Sequence, residues 1–311
     1  MRGRDFISIA DLSRSELDRV LTTAIALKDT RREPILAGKT LALVFEKPSL
    51  RTRVSFDVAM RHLGGDCIYL SPPEVGLGQR ETPSDVARVL SRYVDCIAAR
   101  VFAPETLTEL AEYAAVPVIN ALSDPPLGEH PCQALADLQT VREKKGALSG
   151  VTIAYIGDGN NVAASLSLAS AMSGMHFRIA SPAGYELAER FVKQAEEFAK
   201  ESGGSVMMTD DPKEAASGAD VVYTDVWASM GQEKEAALRK EAFQGYRVDA
   251  EMMARARPDA IFMHDLPAHR GEEVTDDVLD GPQSVVFDQA ENRMHAQKAV
   301  LALILGEESV T

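Results

Sequence analysis

The tract VFEKPSLRTRVSFDVAM, residues 44–60, gathers Lys47, Arg51 and Arg53 at the start of a predicted helix, in a chain of formal net charge −14. The positive end of a helix dipole attracts carboxylates, so cations collected there imply an anion that the sequence does not itself supply. Ser49 is placed to cap the helix. The unpaired N–H groups of the first turn, with Ser49, Arg51, Thr52 and Arg53, make a cradle suited to a phosphate. The plain alternative is a serine cap with solvated arginines, which leaves adjacent cations opposing the dipole with nothing to offset them.

Four other clusters carry chemistry. EHPCQALAD (129–137) sets His130 and Gln133 three residues apart at a predicted helix start, so they face one way. A neutral imidazole donor and an amide suit a carbonyl and an amide better than a metal; the alternative is a structural histidine. Arg100 closes the predicted strand CIAAR, where a buried guanidinium needs an anion. TDVWASMGQE (224–233) ends a strand with Asp225 and continues through Ser229 and Met230. A carboxylate and a hydroxyl there suit an ammonium and a carboxylate, or form an ordinary loop. MHDLPAHRGEEV (263–274) offers His264, Asp265 and Leu266 at another strand end. A His–Asp pair serves metal binding or acid–base work, but no third ligand stands at a suitable spacing, so no metal is expected.

The elements that must position these residues alternate. TLALVFE, DCIYL, CIAARVF and VPVINAL read as strands, separated by helical stretches and by a Pro/Gly-rich polar loop over 71–84. After a helix at 130–146 the alternation restarts with GVTIAYIGD and runs through HFRIAS, SVMMTD, DVVYTDV and AIFMHDLP to a terminal amphipathic helix, ENRMHAQKAVLALILGE. This predicts two α/β units with mostly parallel sheets, joined near 140–150. Ligands of such sheets bind outside the carboxyl ends of the strands, where all five clusters fall. YIGDGNNVAASL (155–166) is a poor dinucleotide turn: the third glycine is missing and the next strand ends without an acid for a ribose. Asn160 and Asn161 can instead offer amide hydrogen bonds to a substrate.

A length of 311 residues favours two domains, and 45% hydrophobic with 26% charged residues fits a soluble globular chain. No apolar window reaches the roughly 18 residues of a membrane span, and the N-terminus lacks the apolar segment of a secretory signal. Cys67, Cys96 and Cys132 have no CxxC spacing and suit a reducing compartment, so a cytoplasmic location is expected. An isoelectric point near 4.9 argues against nucleic acid and anionic membrane as partners.

Taken in order, SLRTR, HPCQ, DGNN, DVWASMGQE and LPAHRGEEV resemble the carbamoyltransferase family over nearly the whole chain, and its ornithine branch most closely. The resemblance implies two Rossmann-like parallel-sheet domains: residues 1–145 for carbamoyl phosphate, joined by a returning helix at 290–311, and residues 146–289 for ornithine. It implies carbamoyl transfer to the δ-amine of L-ornithine, giving citrulline and phosphate, without metal or organic cofactor. It also implies homotrimers or multiples of trimers with shared active sites. Carbamoyl phosphate falls to Ser49, the Leu50 main chain, Arg51, Thr52, Arg100, His130, Gln133 and Arg293. Ornithine falls to Asn161, Asp225, Ser229, Met230, Leu266 and the Leu122 main chain. Arg51, Arg100, His130 and Asp265 stand at the reacting atoms.

Three departures stand out. Asp265 occupies the place of the branch's usual cysteine, Gly76 that of a Gln or His, and SDPPLGEHPCQ (123–133) is longer before the histidine than the branch pattern. Asp265 then stabilises the protonated amine, acts as its base, or turns away to pair with His264 or Arg270. The expectation is that it is not essential. Rival readings are carbamoylation of putrescine or an N-acylated ornithine, and an inactive anion-binding relative.

Overall fold

The computed structural model describes residues 1–30, 32–228 and 235–307, which divide into two compact units: Met1–Gln139 with Glu291–Thr311, and Thr140–Ala290. In the first, the strands are β1 (Thr40–Phe45), β2 (Asp66–Leu70), β3 (Cys96–Val101) and β4 (Val118–Ser123). They pair in parallel in the order β2-β1-β3-β4. β1, β3 and β4 are buried almost throughout, whereas edge strand β2 is not. That is the pattern of a parallel sheet covered on both faces. Its helices are α1 (Arg14–Lys28), α2 (Leu50–His62), α3 (Pro72–Val75), α4 (Pro83–Leu90), α5 (Pro104–Tyr113) and α6 (Pro131–Lys145).

In the second unit β5 (Thr152–Ile156), β6 (His176–Ala180), β7 (Ser205–Thr209), β8 (Val221–Tyr223) and β9 (Ile261–Met263) pair in parallel in the order β7-β6-β5-β8-β9. The helices are α7 (Asn161–Met172), α8 (Glu189–Ser202), α9 (Pro212–Ala216), α10 (Ala236–Ala242), α11 (Ala250–Met253) and α12 (Asp276–Leu279); α13 (Val286–Leu305) starts in this unit and from Glu291 onward belongs to the first. A core of small residues and aromatics, with Trp227 stacked on Phe243 at 5.7 Å, fills one side.

The last helix returns to the first unit. Asn292 Oδ1 accepts from Lys28 Nζ at 2.8 Å and Gln139 Nε2 at 3.1 Å, and Lys298 Nζ donates to the carbonyls of Leu27 and Thr30. α13 begins at Val286, earlier than the predicted start, because the polar Asp288 and Gln289 continue the helix. The loop expected over 71–84 holds α3. Ser71 N–H donates to Glu74 Oε2 at 2.6 Å to open it, and Gly76, at φ 57°, closes it in the left-handed region that a side chain disfavours.

Strand order reverses between β1 and β3 in one sheet and between β5 and β8 in the other. Such switch points open a crevice at the carboxyl ends of the strands, where the two polar clusters lie. No helix among the described residues is long and apolar enough to cross a membrane.

Candidate active site

The first cluster is built at the ends of β1, β3 and β4. Ser49 leaves the helical backbone at φ −155° and caps α2, its hydroxyl accepting from Thr52 N–H at 3.3 Å. Thr52 Oγ1 is then approached by Ser49 Oγ at 3.0 Å, Arg100 Nη1 at 3.2 Å and Arg293 Nη2 at 3.0 Å. A hydroxyl oxygen has two lone pairs, so three donors aimed at it leave donor capacity for an anion. Beside Arg100 the pairing of β3 with β4 shifts by one residue: Ala99 pairs with Asn120 but Arg100 with Leu122, leaving Ala121 of β4 as the extra residue. Arg293, brought by α13, also donates to Gln133 Oε1 at 2.9 Å, while Gln133 Nε2 donates to Asp137 at 2.8 Å. Gln133 is thus held on both ends of its amide by the protein.

His130 stands at the start of α6 and is 1% exposed. Burial first, then the charges of Arg293, Arg100, Lys47 and Arg51, hold its pKa well below the ordinary histidine value. The ring is neutral at pH 7 and offers one N–H. The long tract before it folds back on itself. Ser123 N–H donates to the Glu129 carbonyl at 2.9 Å, and Glu129 N–H to Ser123 Oγ at 2.9 Å.

The three cations of the opening tract have different fates. Lys47 is buried and paired with Asp124. The Arg53 guanidinium lies 3.8 Å from the centre of the Tyr69 ring, a cation–π contact that takes it out of the expected cradle. Arg51 makes no hydrogen bond or ion pair among the described residues, although its charge bears on His130. Leu50 turns its side chain to solvent, 76% exposed, so only its main chain belongs to the cradle.

The second cluster lies at the ends of β5, β8 and β9. Asp225 accepts from Asn160 Nδ2 at 2.7 Å and from Val226 N–H at 2.7 Å. Asn160 also caps α7, its Oδ1 accepting from Val162 and Ala163 N–H at 2.9 and 3.1 Å. The N–H groups that would serve a phosphate in a dinucleotide turn are therefore satisfied by Asn160 itself. Asn160 supports Asp225 rather than a substrate, and Asn161, 5% exposed, is the asparagine left as a candidate contact. Burial, then the charge of Asp265, raise Asp225 well above the carboxylate range, and a hydrogen bond joins the two carboxyl groups.

Asp225, His264 and Asp265 place ligand atoms within 4.8 Å of one another, so the third group missing from the sequence pattern comes from β8. Both ring nitrogens of His264 are engaged, however: Nδ1 accepts from Leu266 N–H at 2.9 Å, and Nε2 lies 3.2 Å from Glu273 Oε1. Two carboxylates remain, a poor set for a metal that prefers nitrogen. Arg270, one expected partner of Asp265, is instead paired with Asp276 and Asp280 at 2.7 and 2.6 Å. Leu266 has φ 59°, unusual for a residue with a side chain. Ser229 and Met230 lie outside the described residues.

Sequence reasoning passed over two further residues. Asp158 and Arg239 form a buried ion pair at 2.7 Å, with Arg239 Nη1 also donating to the Trp227 carbonyl at 2.9 Å. Burial raises the Asp158 pKa to about 6 even so. The acid was visible in GDGNN; its partner 81 residues away was not.

Known proteins match both units. Residues 4–143 match the family described as aspartate/ornithine carbamoyltransferase, carbamoyl-P binding domain, and residues 149–304 its Asp/Orn binding domain. The ornithine carbamoyltransferase of Pyrococcus abyssi is 54% identical over 310 residues, 98% of this chain and 97% of its own. The anabolic ornithine carbamoyltransferase of Pyrococcus furiosus is likewise 54% identical, over 98% of each chain. A solved structure of ornithine carbamoyltransferase from Pyrococcus furiosus superposes with a TM-score of 0.94, covering 98% of this chain and 97% of that one. With both halves matched at this level, the chain belongs to the aspartate/ornithine carbamoyltransferase family.

Proposed function

We propose that the protein transfers the carbamoyl group of carbamoyl phosphate to the δ-amine of L-ornithine, giving citrulline and phosphate. The first unit takes carbamoyl phosphate and the second takes ornithine. The observation that carries this reading is Arg51: a cation in the first turn of α2 with no ion pair among the described residues, beside two guanidinium groups converging on Thr52. A phosphate accepts from the free N–H groups of that turn, from Ser49 and Thr52, and from Arg51.

In the reaction the neutral amine forms a bond to the carbamoyl carbon, the bond from that carbon to the phosphate oxygen breaks, and the amine proton leaves with phosphate. Arg100, the neutral His130 and the Thr52 hydroxyl polarise the carbonyl as charge develops on its oxygen, an oxyanion-type role worth about 3 kcal/mol per donor. Arg51 stabilises the departing phosphate. Arg293 holds Arg100's partner Thr52 in place, and Gln133 in turn holds Arg293. Asn161, Asp225, Ser229 and Met230 receive the amino-acid end of ornithine, with the main chains of Leu122 and Leu266 beside it. Asp265 tunes Asp225 rather than carrying an essential proton. Free ornithine is favoured over putrescine and N-acylated ornithine because a buried, raised carboxyl such as Asp225 is matched by an α-ammonium.

The working form is a cytoplasmic homo-oligomer, a trimer or multiple of trimers. Leu50 and Val54 on α2 and Ile68 on edge strand β2 support it, as apolar residues at 76%, 48% and 47% exposure in one region of the first unit. The test is direct: supplied with carbamoyl phosphate and ornithine, the protein forms citrulline and phosphate in equal amounts. Carbamoyl phosphate binding without citrulline identifies an inactive relative instead.

A further inference from the structure

We propose that Glu273 is a positioning residue for the acceptor end of the site: it holds His264 in the Nε2–H tautomer, whose Nδ1 lone pair fixes the main chain of Leu266 and so the place of Asp265. This rests on the ornithine reading above for its kinetic consequences, but not for its geometry. Leu266 N–H can only donate, so the His264 Nδ1 that it meets at 2.9 Å must be unprotonated. The ring proton of the neutral imidazole then sits on Nε2, 3.2 Å from Glu273 Oε1. Both side chains are completely buried.

The surroundings fix the donor and acceptor in turn. His264 N–H donates to Gln289 Oε1 at 2.9 Å, and Gln289 Nε2 donates to the Tyr223 hydroxyl at 3.0 Å. Glu273 is anchored through its main chain, its carbonyl accepting from Val248 N–H at 2.8 Å, and Oε1 also accepts from His269 N–H. Asp265 Oδ1 lies 3.6 Å from His264 Nδ1, with Asp225 beyond it, while His269 and Glu272 flank Glu273. A proton on Nδ1 would remove the acceptor of Leu266 N–H and put a donor toward Asp265, moving the two residues nearest the acceptor amine. Glu273 prevents this by accepting a hydrogen bond from the ring Nε2–H on the far side. Its Oε2 makes no hydrogen bond among the described residues, so the carboxylate is not kept buried for a second structural contact.

The test combines nitrogen NMR of the full-length protein labelled at histidine with steady-state kinetics. His264 is assigned by loss of its signals in His264→Asn. At pH 7.5 the wild type should show the Nε2–H tautomer at His264. Glu273→Ala should lose it and raise KM for ornithine about tenfold or more, the consequence of an unsatisfied buried donor, with KM for carbamoyl phosphate unchanged. Glu273→Gln keeps a carbonyl acceptor and should keep both the tautomer and the KM. An Nδ1–H tautomer or an imidazolium in the wild type overturns the proposal even if Glu273→Ala fails to fold. Equal losses for both substrates, or a Glu273→Gln variant as impaired as Glu273→Ala, overturn it as well. A wild type with the Nε2–H tautomer but no citrulline formation contradicts the proposed reaction and leaves this positioning role standing.

Discussion

Arg51 at the start of α2 and Asp225 at the end of β8 present the same physical problem with opposite sign. The first unit gathers Arg51, Arg100 and Arg293 around a neutral histidine and a threonine hydroxyl. The second holds Asp225 and Asp265 against each other, and Asp225 responds by taking up a proton more readily than an ordinary carboxylate. Neighbouring charges show what completion looks like. Lys47 has Asp124, and Asp158 has Arg239. A fold that pairs these two, gives Arg51 no ion pair among the described residues and sets Asp225 beside a like charge supports the proposed binding of ligands of opposite charge at the two clusters.

The largest test of that contrast is Arg51→Ala. Removing this cation should leave the fold intact and weaken carbamoyl phosphate by about 1.5–3 kcal/mol, with a larger loss in turnover. Calorimetry reads the first and citrulline formation the second; unchanged affinity would mean that the cradle serves something else. Arg239→Ala should do the reverse. Leaving Asp158 buried without its partner should lower stability by about 3–5 kcal/mol in thermal or denaturant unfolding. A variant as stable as the wild type would break the distinction between completed and waiting charges.

Asp225→Asn is a smaller, selective change. KM for ornithine should rise roughly tenfold or more through loss of a charge-assisted contact, while KM for carbamoyl phosphate stays put. Parallel rises in both would assign Asp225 to the fold. Asp265→Asn or →Cys removes the like charge beside Asp225 and should lower its pKa. The sign follows: a raised carboxyl must lose its proton before it receives an ammonium, so ornithine affinity is lost as pH falls through that raised value. Without Asp265 the acidic limb of kcat/KM for ornithine should move to lower pH by about one unit. Stability should change in the same direction, because an acid raised in the folded state destabilises the fold above its unfolded value, and either variant should therefore unfold at higher temperature at pH 8. A loss of about a thousandfold at every pH would make Asp265 an essential base.

Much of this was legible in the sequence where the signal is local. The Ser49 cap, the cations after it and the His130–Gln133 spacing are each contained in one turn of helix, and the alternation of strands and helices fixes which ends they occupy. What was not legible depends on residues meeting across the chain. Arg100 meets Thr52, 48 positions away, only once β3 lies beside β1. Asn160 supports Asp225 from 65 positions away, and its role as cap of α7 gave no hint of the carboxylate it would meet. Arg53 looked like part of the cradle because sequence spacing cannot show Tyr69 on the neighbouring strand taking it away. The His264–Asp265 pair looked short of a third group for the same reason, since Asp225 is supplied by a different strand.

Complementary charge at the two clusters is tested most directly by kcat/KM for a panel of acceptors at saturating carbamoyl phosphate. L-ornithine should exceed both putrescine and Nα-acetylornithine by about a hundredfold or more, because either analogue leaves a buried polar group unmatched. Comparable values for an acceptor without a free α-ammonium, or no carbamoylation of any amine, would contradict it.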